Sequence, residues 1–455
     1  MKKYLKLIIP VFASITLASC DEFGDTNLDP GRPGGENVSL VAITPSMQTQ
    51  THKNLVASAG RLSAIITQQY VGFDAQQVAF TQYAIPEGTL ANFWEFGLYT
   101  GSMRDCADMI ERANASGENI HTRGLAKIYM AVNLGIATNC FGDVPYSEAF
   151  LGSENLAPSY DSQEQVYTTI HNLLDEAIAD FGQVDPQGPL GDLVGSSDWI
   201  AVAHALKARF YMQLTKRDAN ASNKALSEIA LAFSSNDDSP IFEFENTTNG
   251  GNPLANFGIQ RPNTLIIDPF FDNLMNGDPR KAKYMVANVD GDQLYFENGN
   301  TDLFWAQFGS PSPLISFSEL KFIEAEAIQR TGGDPTNAMQ DAIRANMEFI
   351  GIPAGDIDTY LATVTETDLE TIIVEKYKAM FGSAPIEIWN DYRRTGFPEL
   401  TANTEGANGS NPSGVIPRRF LYPDSERLSN TAAYEAAISN QGGHLLDNDL
   451  WAFKN

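Results

Sequence analysis

Cysteine and histidine are both scarce in this 455-residue chain, with three of the first and five of the second. Cys20, Cys106 and Cys140 stand too far apart for any zinc-ligand spacing. The five histidines (His52, His121, His171, His204 and His444) form no HExxH pair, so no metal site is expected. Cys106 and Cys140, each in a helical stretch, leave open either one disulfide or two separately buried thiols. Glycine-rich phosphate loops and the GxSxG elbow are missing as well, which removes the common nucleotide and serine-hydrolase signatures and any expectation of a cofactor. Basic side chains are few: 30 Lys and Arg face 57 Asp and Glu, a formal net charge of −27. Such a surface repels nucleic acid and anionic headgroups. It also tilts against sulfated or uronic polymers as ligands, except where a local basic pocket overrides the global field. Carboxylates are so abundant that pairs close in sequence say nothing about glycosidase chemistry.

What is present is a loop-rich globular composition, 43% hydrophobic with 36 Gly and 23 Pro, on a chain long enough to build a large core. The marked apolar run lies at the start, where Lys2, Lys3 and Lys6 precede Leu7 to Leu17. A bilayer span needs about 20 apolar residues, whereas a secretory signal needs only about 7 to 15 behind a positive segment. Residues 1–19 therefore read as a signal peptide. Leu17-Ala18-Ser19-Cys20 resembles a bacterial lipobox, which makes Cys20 the expected lipidation site. Residues 20–40, rich in Gly, Pro, Asp and Asn, read as a tether reaching about 25 Å if flexible.

Beyond the tether, residues 41–455 read as one body: a mainly helical scaffold over 41–245, a loop-rich insertion over 246–317, and C-terminal helices and loops over 318–455. Val166, Ile170, Leu173, Leu174, Ala177 and Phe181 recur with helical period, as do Ile200, Ala203, Leu206, Phe210 and Leu214 behind the capping candidates Ser196, Ser197 and Asp198. Further helices are expected near 46–70, 96–114, 122–140, 221–233, 318–331, 336–349, 367–382 and 430–440. Strand-like alternation is sparse, so the fold class is mostly α, with degenerate tetratricopeptide-like helix pairs as the natural packing. In the insertion, Asn, Gly and Pro punctuate the chain and helical period fades.

Several ordered stretches resemble the SusD/RagB family of nutrient-binding outer-membrane lipoproteins from Bacteroidota. They are Asn27-Leu28-Asp29-Pro30, Phe141-Gly142-Asp143-Val144-Pro145-Tyr146, Tyr160-Asp161-Ser162-Gln163, Trp199 with the run to Arg209, Asp278-Pro279-Arg280, Glu324-Ala325-Glu326-Ala327, and Pro417-Arg418-Arg419-Phe420-Leu421-Tyr422-Pro423. Asp21 and Glu22 after the lipobox look like the family's signal for the outer face of the outer membrane. The resemblance implies a SusD-like α-helical fold without catalysis. It further implies an anchored protein that binds oligosaccharides or peptides and hands them to a SusC-like TonB-dependent transporter. Two other classes compete with this reading: a helical glycoside hydrolase using two carboxylates, and a tetratricopeptide-type scaffold for a protein partner. Most motif residues have structural duties in prospect: Arg280, Arg418 and Arg419 are expected to hold carboxylates, and Glu324 and Glu326 to lie within ion-pair reach of Arg330.

Glycan binding without chemistry needs exposed aromatic faces flanked by amides, hydroxyls and carboxylates. Two clusters meet that description. Phe73, Phe80 and Tyr83 lie with Phe93 and Trp94 in a segment containing Asp74, Gln76, Gln77 and Gln82; Tyr295, Phe296 and Trp305 are interleaved with Asn300 and Gln307. The resemblance places ligand sites in these same two regions. Trp305 and Tyr83 lead the candidates because their sequence neighbours are polar, whereas Trp94, Trp199, Trp389 and Trp451 are expected in the core. Asp290, Asp292, Asn298 and Asn300 lack EF-hand spacing and are expected to form polar turns.

Overall fold

A computed structural model describes residues 38–195 and 198–454; the signal segment and Cys20 lie outside them. The apolar periodicity of the first half becomes helices α1 (Leu40–Val56), α2 (Ser58–Ile66), the short α3 (Gln76–Thr81), α4 (Met103–Ser116), α5 (Ile120–Phe141), α6 (Gln163–Phe181), α7 (Trp199–Gln213) and α8 (Ala221–Ile229). Helix α5 is apolar almost all round and correspondingly buried almost all round, which puts it at the centre of the core. Successive helices from α4 to α8 each pack on the next, an arrangement compatible with tetratricopeptide-like pairs. Helix α6 starts where its sequence says it should: Ser162 and Gln165 form a reciprocal capping box, satisfying donors the first turn leaves free. Asp198 caps α7 by accepting from the Ala201 amide at 2.9 Å.

The family motif after α5 joins three segments. The Asp143 carboxylate accepts from the Gln163 amide at 2.9 Å, the Asp143 carbonyl accepts from the Tyr422 hydroxyl at 2.6 Å, and the Phe420 amide donates to the Cys140 carbonyl at 2.7 Å. Asp161 completes the joint by accepting from the Tyr146 and Ser147 amides at 2.9 and 2.7 Å. These residues are structural. Cys106 on α4 and Cys140 on α5 are free and buried, which resolves the open pairing; burial pushes the Cys140 thiol up to about 12.

The C-terminal part packs α12 (Phe317–Arg330), α13 (Thr336–Phe349), α14 (Ala354–Leu361), α15 (Leu369–Ala379) and α16 (Pro385–Thr395) onto the same core, preceded by the insertion's own elements. The insertion's helices α9 (Pro253–Gln260), α10 (Pro269–Leu274) and α11 (Lys281–Tyr284) are too short for periodicity to reveal, and two of them start at side-chain caps, Asn252 and Asp268. Strands are equally short: β1 (Tyr70–Gly72) with β3 (Leu265–Ile267), β2 (Ile241–Phe242) with β6 (Ser312–Pro313), and β4 (Val286–Ala287) with β5 (Gln293–Leu294).

Two buried arginines in this part are neutralised, while buried Arg393 is met instead by the carbonyls of Asn139 and Arg418 at 2.7 and 2.9 Å. Arg280, fully buried, meets Asp278 at 2.6 Å and Glu375 at 2.8 Å, and Arg394 meets Glu326 and, at 2.7 Å, Asp391. Glu326 also pairs with Arg330 at 2.6 Å as expected. Arg418 reaches Asp449 only at 3.7 Å. Arg419 departs from expectation, because it bonds the Gln441 amide oxygen at 2.9 Å and the Phe420 carbonyl at 3.1 Å rather than a carboxylate. Trp94, Trp199 and Trp389 are buried and Trp451 is half-buried against the core. The Asp290–Asp292 turn closes on Asn288, whose side-chain oxygen accepts from both aspartate amides at 3.0 and 2.8 Å. No described helix is long and apolar enough to cross a membrane.

Candidate functional site

Antiparallel pairing of β1 with β3 sets Tyr70 opposite Ile267 and Gly72 opposite Leu265. The loop leaving β1 therefore runs beside the turn entering β3, and the Phe73 and Asp74 amides both donate to the Thr264 carbonyl, at 2.9 and 3.2 Å. Strand β5 lies against β3 in turn. The Tyr70 and Tyr295 rings meet with centroids 5.2 Å apart. The two aromatic clusters of the sequence thus share one edge of the molecule.

Within that edge the individual aromatics divide. Phe73 is 55% exposed, flanked by exposed Asp74 and Gln76, and Phe296 is half-buried. Phe80, Tyr83, Tyr295 and Trp305 are all buried, at 6% exposure or less, which removes their faces from ligand stacking. Tyr83 is covered from a distance: its hydroxyl accepts from the Asn403 amide at 3.1 Å and its carbonyl from the Asn408 side chain at 3.1 Å. Trp305 packs edge-on against Phe304 at 4.8 Å and tilted against Phe349 at 6.2 Å. Gly382 passes so close that a Cβ there would lie 2.5 Å from the indole Cγ. Phe93 and Trp94 are core residues too.

The polar candidates of the second cluster serve their own loop. Gln307 donates to the carbonyls of Asn300 and Leu303 at 2.6 and 3.1 Å, and the Asn300 side chain donates to Glu297 at 3.1 Å while accepting from the Asp302 amide at 2.9 Å. Polarity of sequence neighbours signalled a surface loop correctly. It carried no information about which remote segment lies over each ring.

Three residues at this edge escaped the sequence reading. Arg61 on α2 stacks its guanidinium over the Phe257 ring with Cζ 4.0 Å from the centroid, and Arg261 approaches the same ring at 5.5 Å. Burial pulls the Arg61 guanidinium down to about 10, with Tyr295 opposing and Arg261 adding to that shift. Gly258 admits the second cluster to this spot: a Cβ there would sit 2.7 Å from the Tyr295 hydroxyl and 2.8 Å from Phe296 Cβ. No sequence signal marks Arg61 or Arg261, because an isolated arginine on an amphipathic helix or in a polar turn is ordinary. Strand pairing alone brings them together.

The result is a shallow ledge rather than a pocket. A cleft of about 940 Å³ lies elsewhere, lined by Ser235, Asp237, Phe317, Arg344 and Phe349 among others, and none of the sequence candidates line it.

The same architecture occurs in solved structures. A chitin-binding protein is 22% identical with a TM-score of 0.75 over 92% of this chain and 100% of its own. A SusD/RagB family protein from Bacteroides thetaiotaomicron is 22% identical with a TM-score of 0.74 and the same coverage. A chitin-binding SusD homolog from Flavobacterium johnsoniae is 20% identical, with a TM-score of 0.72 over 91% of this chain and 99% of its own. Comparison with curated protein sequences yields no match. The family model described as starch-binding and associating with the outer membrane matches residues 36–423, and the chain therefore belongs to the SusD-like family.

Proposed function

We propose that this protein is a non-catalytic, cell-surface lipoprotein that captures an oligosaccharide on the β1–β3 ledge and passes it to a SusC-like TonB-dependent transporter. The observation that carries the reading is convergence. Two loops far apart in sequence meet at one edge, and Phe73 stands there more than half exposed between polar side chains. An aromatic face beside carboxylate and amide groups is the minimal equipment for holding a sugar ring. Membership of a family described as starch-binding and outer-membrane-associated supports both the ligand class and the location. The names of two similar structures point to glycans as well.

A shallow ledge makes few contacts, so affinity is modest and delivery depends on the lipid at Cys20 and on the transporter holding ligand and protein together. Titration calorimetry of the detergent-solubilised mature protein against an oligosaccharide panel tests this. Binding without reducing-sugar release is expected, and Phe73→Ala should weaken it about threefold to tenfold, the value of one aromatic stacking contact. Release of reducing sugar would replace the binder with the hydrolase. Intact-mass measurement of the native protein checks the anchor, since an unacylated Cys20 removes it.

A further inference from the structure

The chain is strongly acidic, and its arginines have no shortage of acceptors. Among the described residues, every arginine except two has a carboxylate, amide or carbonyl oxygen as partner; Arg104, for example, holds the Phe150 carbonyl at 2.8 Å, and Arg217 the Lys454 carbonyl. The two exceptions are Arg61 and Arg261. Both flank the Phe257 ring, and neither comes within 4.0 Å of a described carboxylate. Arg61 is half-buried, and its guanidinium has no oxygen partner among the described residues.

The neighbouring polar groups are also unmet. Among the described residues, the Tyr295 hydroxyl, on a residue only 4% exposed, has no partner, and neither has that of Tyr70, 2% exposed, whose ring packs on Tyr295. Arg61 and Tyr70 line one small cavity between α2 and Gly382. Stacking on Phe257 fixes the plane of the Arg61 guanidinium and leaves its edge available, which suits the two oxygens of a planar oxyanion.

We propose that Arg61 and Arg261 form an anion subsite of the ledge, and that the captured oligosaccharide carries an isolated acidic sugar whose carboxylate they bind. This rests on the glycan-binding reading of the same ledge and narrows its ligand class. The acidic body elsewhere repels a uniformly charged polyanion, while a single carboxylate held at two arginines is within reach of their field, which screening limits to about 8 Å at physiological salt. The ligand is therefore a mostly neutral chain with one uronic or sialic acid, not a fully uronic polymer.

The test is calorimetric titration of the detergent-solubilised mature protein with matched pairs: neutral oligosaccharides, and the same chains bearing one uronic or sialic acid. The acidic member of a pair should bind about tenfold to hundredfold more tightly, as expected for a charge-assisted pair. That preference should shrink in high salt. Arg61→Met and Arg261→Glu should each erase the preference while neutral binding persists, and Arg61→Lys should retain part of it. Arg261 is exposed, so its variant reports even if an Arg61 variant folds poorly. Equal affinity within every pair, or a preference untouched by Arg261→Glu, overturns the anion subsite and leaves glycan binding standing. No binding of any member overturns both.

Discussion

Two sets of arginines in this protein live by different rules. Arg394 is held by Glu326 and Asp391, Arg280 by Asp278 and Glu375, and Arg209 by Glu319 at 2.7 Å, all deep in the C-terminal half or its junction with α7. Arg61 and Arg261, at the β1–β3 edge, have an aromatic ring and, among the described residues, no oxygen partner. The contrast teaches where the fold closes its own electrostatics and where it leaves them open. Cations in the core are met from within, Arg209, Arg280 and Arg394 by carboxylates and Arg393 and Arg419 by carbonyl and amide oxygens, whereas a cation at the rim can wait for a partner from outside.

The comparison breaks most severely at Glu326. Glu326→Ala strands Arg394 in the core and should cost about 3–5 kcal/mol, read by urea denaturation. Burial pushes the Glu326 carboxyl up, but Arg394, aided by Arg330 and Lys376, brings it down to about 2 from 4.5. A depressed folded value means its stabilisation is complete above the unfolded value near 4.5 and is lost as pH falls towards 2. Glu326→Gln should flatten that acid limb of the stability curve. Trp305→Ala should cost about 3 kcal/mol, at the lower end for a buried indole because its Nε1 has no acceptor to lose; a fully stable variant would return that ring to the surface.

The rim behaves oppositely. Arg61→Met keeps the stack on Phe257 and removes an unpaired, partly desolvated cation, so it should stabilise the protein by up to about 1 kcal/mol in the same denaturation series. A loss resembling that of Glu326→Ala would mean Arg61 has an internal partner and would erase the distinction. Phe73→Ala should move stability least, by under about 0.5 kcal/mol, since its ring is exposed before and after folding.

Much of the architecture was legible. Helix α6 follows from apolar spacing and α7 from apolar spacing with Asp198 as its cap, and the core positions of Trp94, Trp199 and Trp389 are as expected. Helices of four to eight residues in the insertion were not, because none spans much more than two turns and the two longer ones owe their start to Asn252 or Asp268 and a following proline rather than to a repeating stripe. The site was legible by region and illegible by residue. Phe73 and Trp305 sit in similarly polar sequence, yet one ring projects and the other lies under Gly382 and Phe349. Burial of that kind is decided by what returns from elsewhere in the chain, as Asn403 does over Tyr83. Arg61 and Arg261 were invisible for the same reason.

The β1–β3 ladder ties a strand near the beginning of the described chain to one beyond its entire helical first half. Contacts of such sequence separation form late, after the entropy of closing the intervening loop has been met. A polypeptide ending before Leu265 lacks one of the two strands that build the ledge. On the proposed reading, ligand capture is thereby coupled to completion of the molecule.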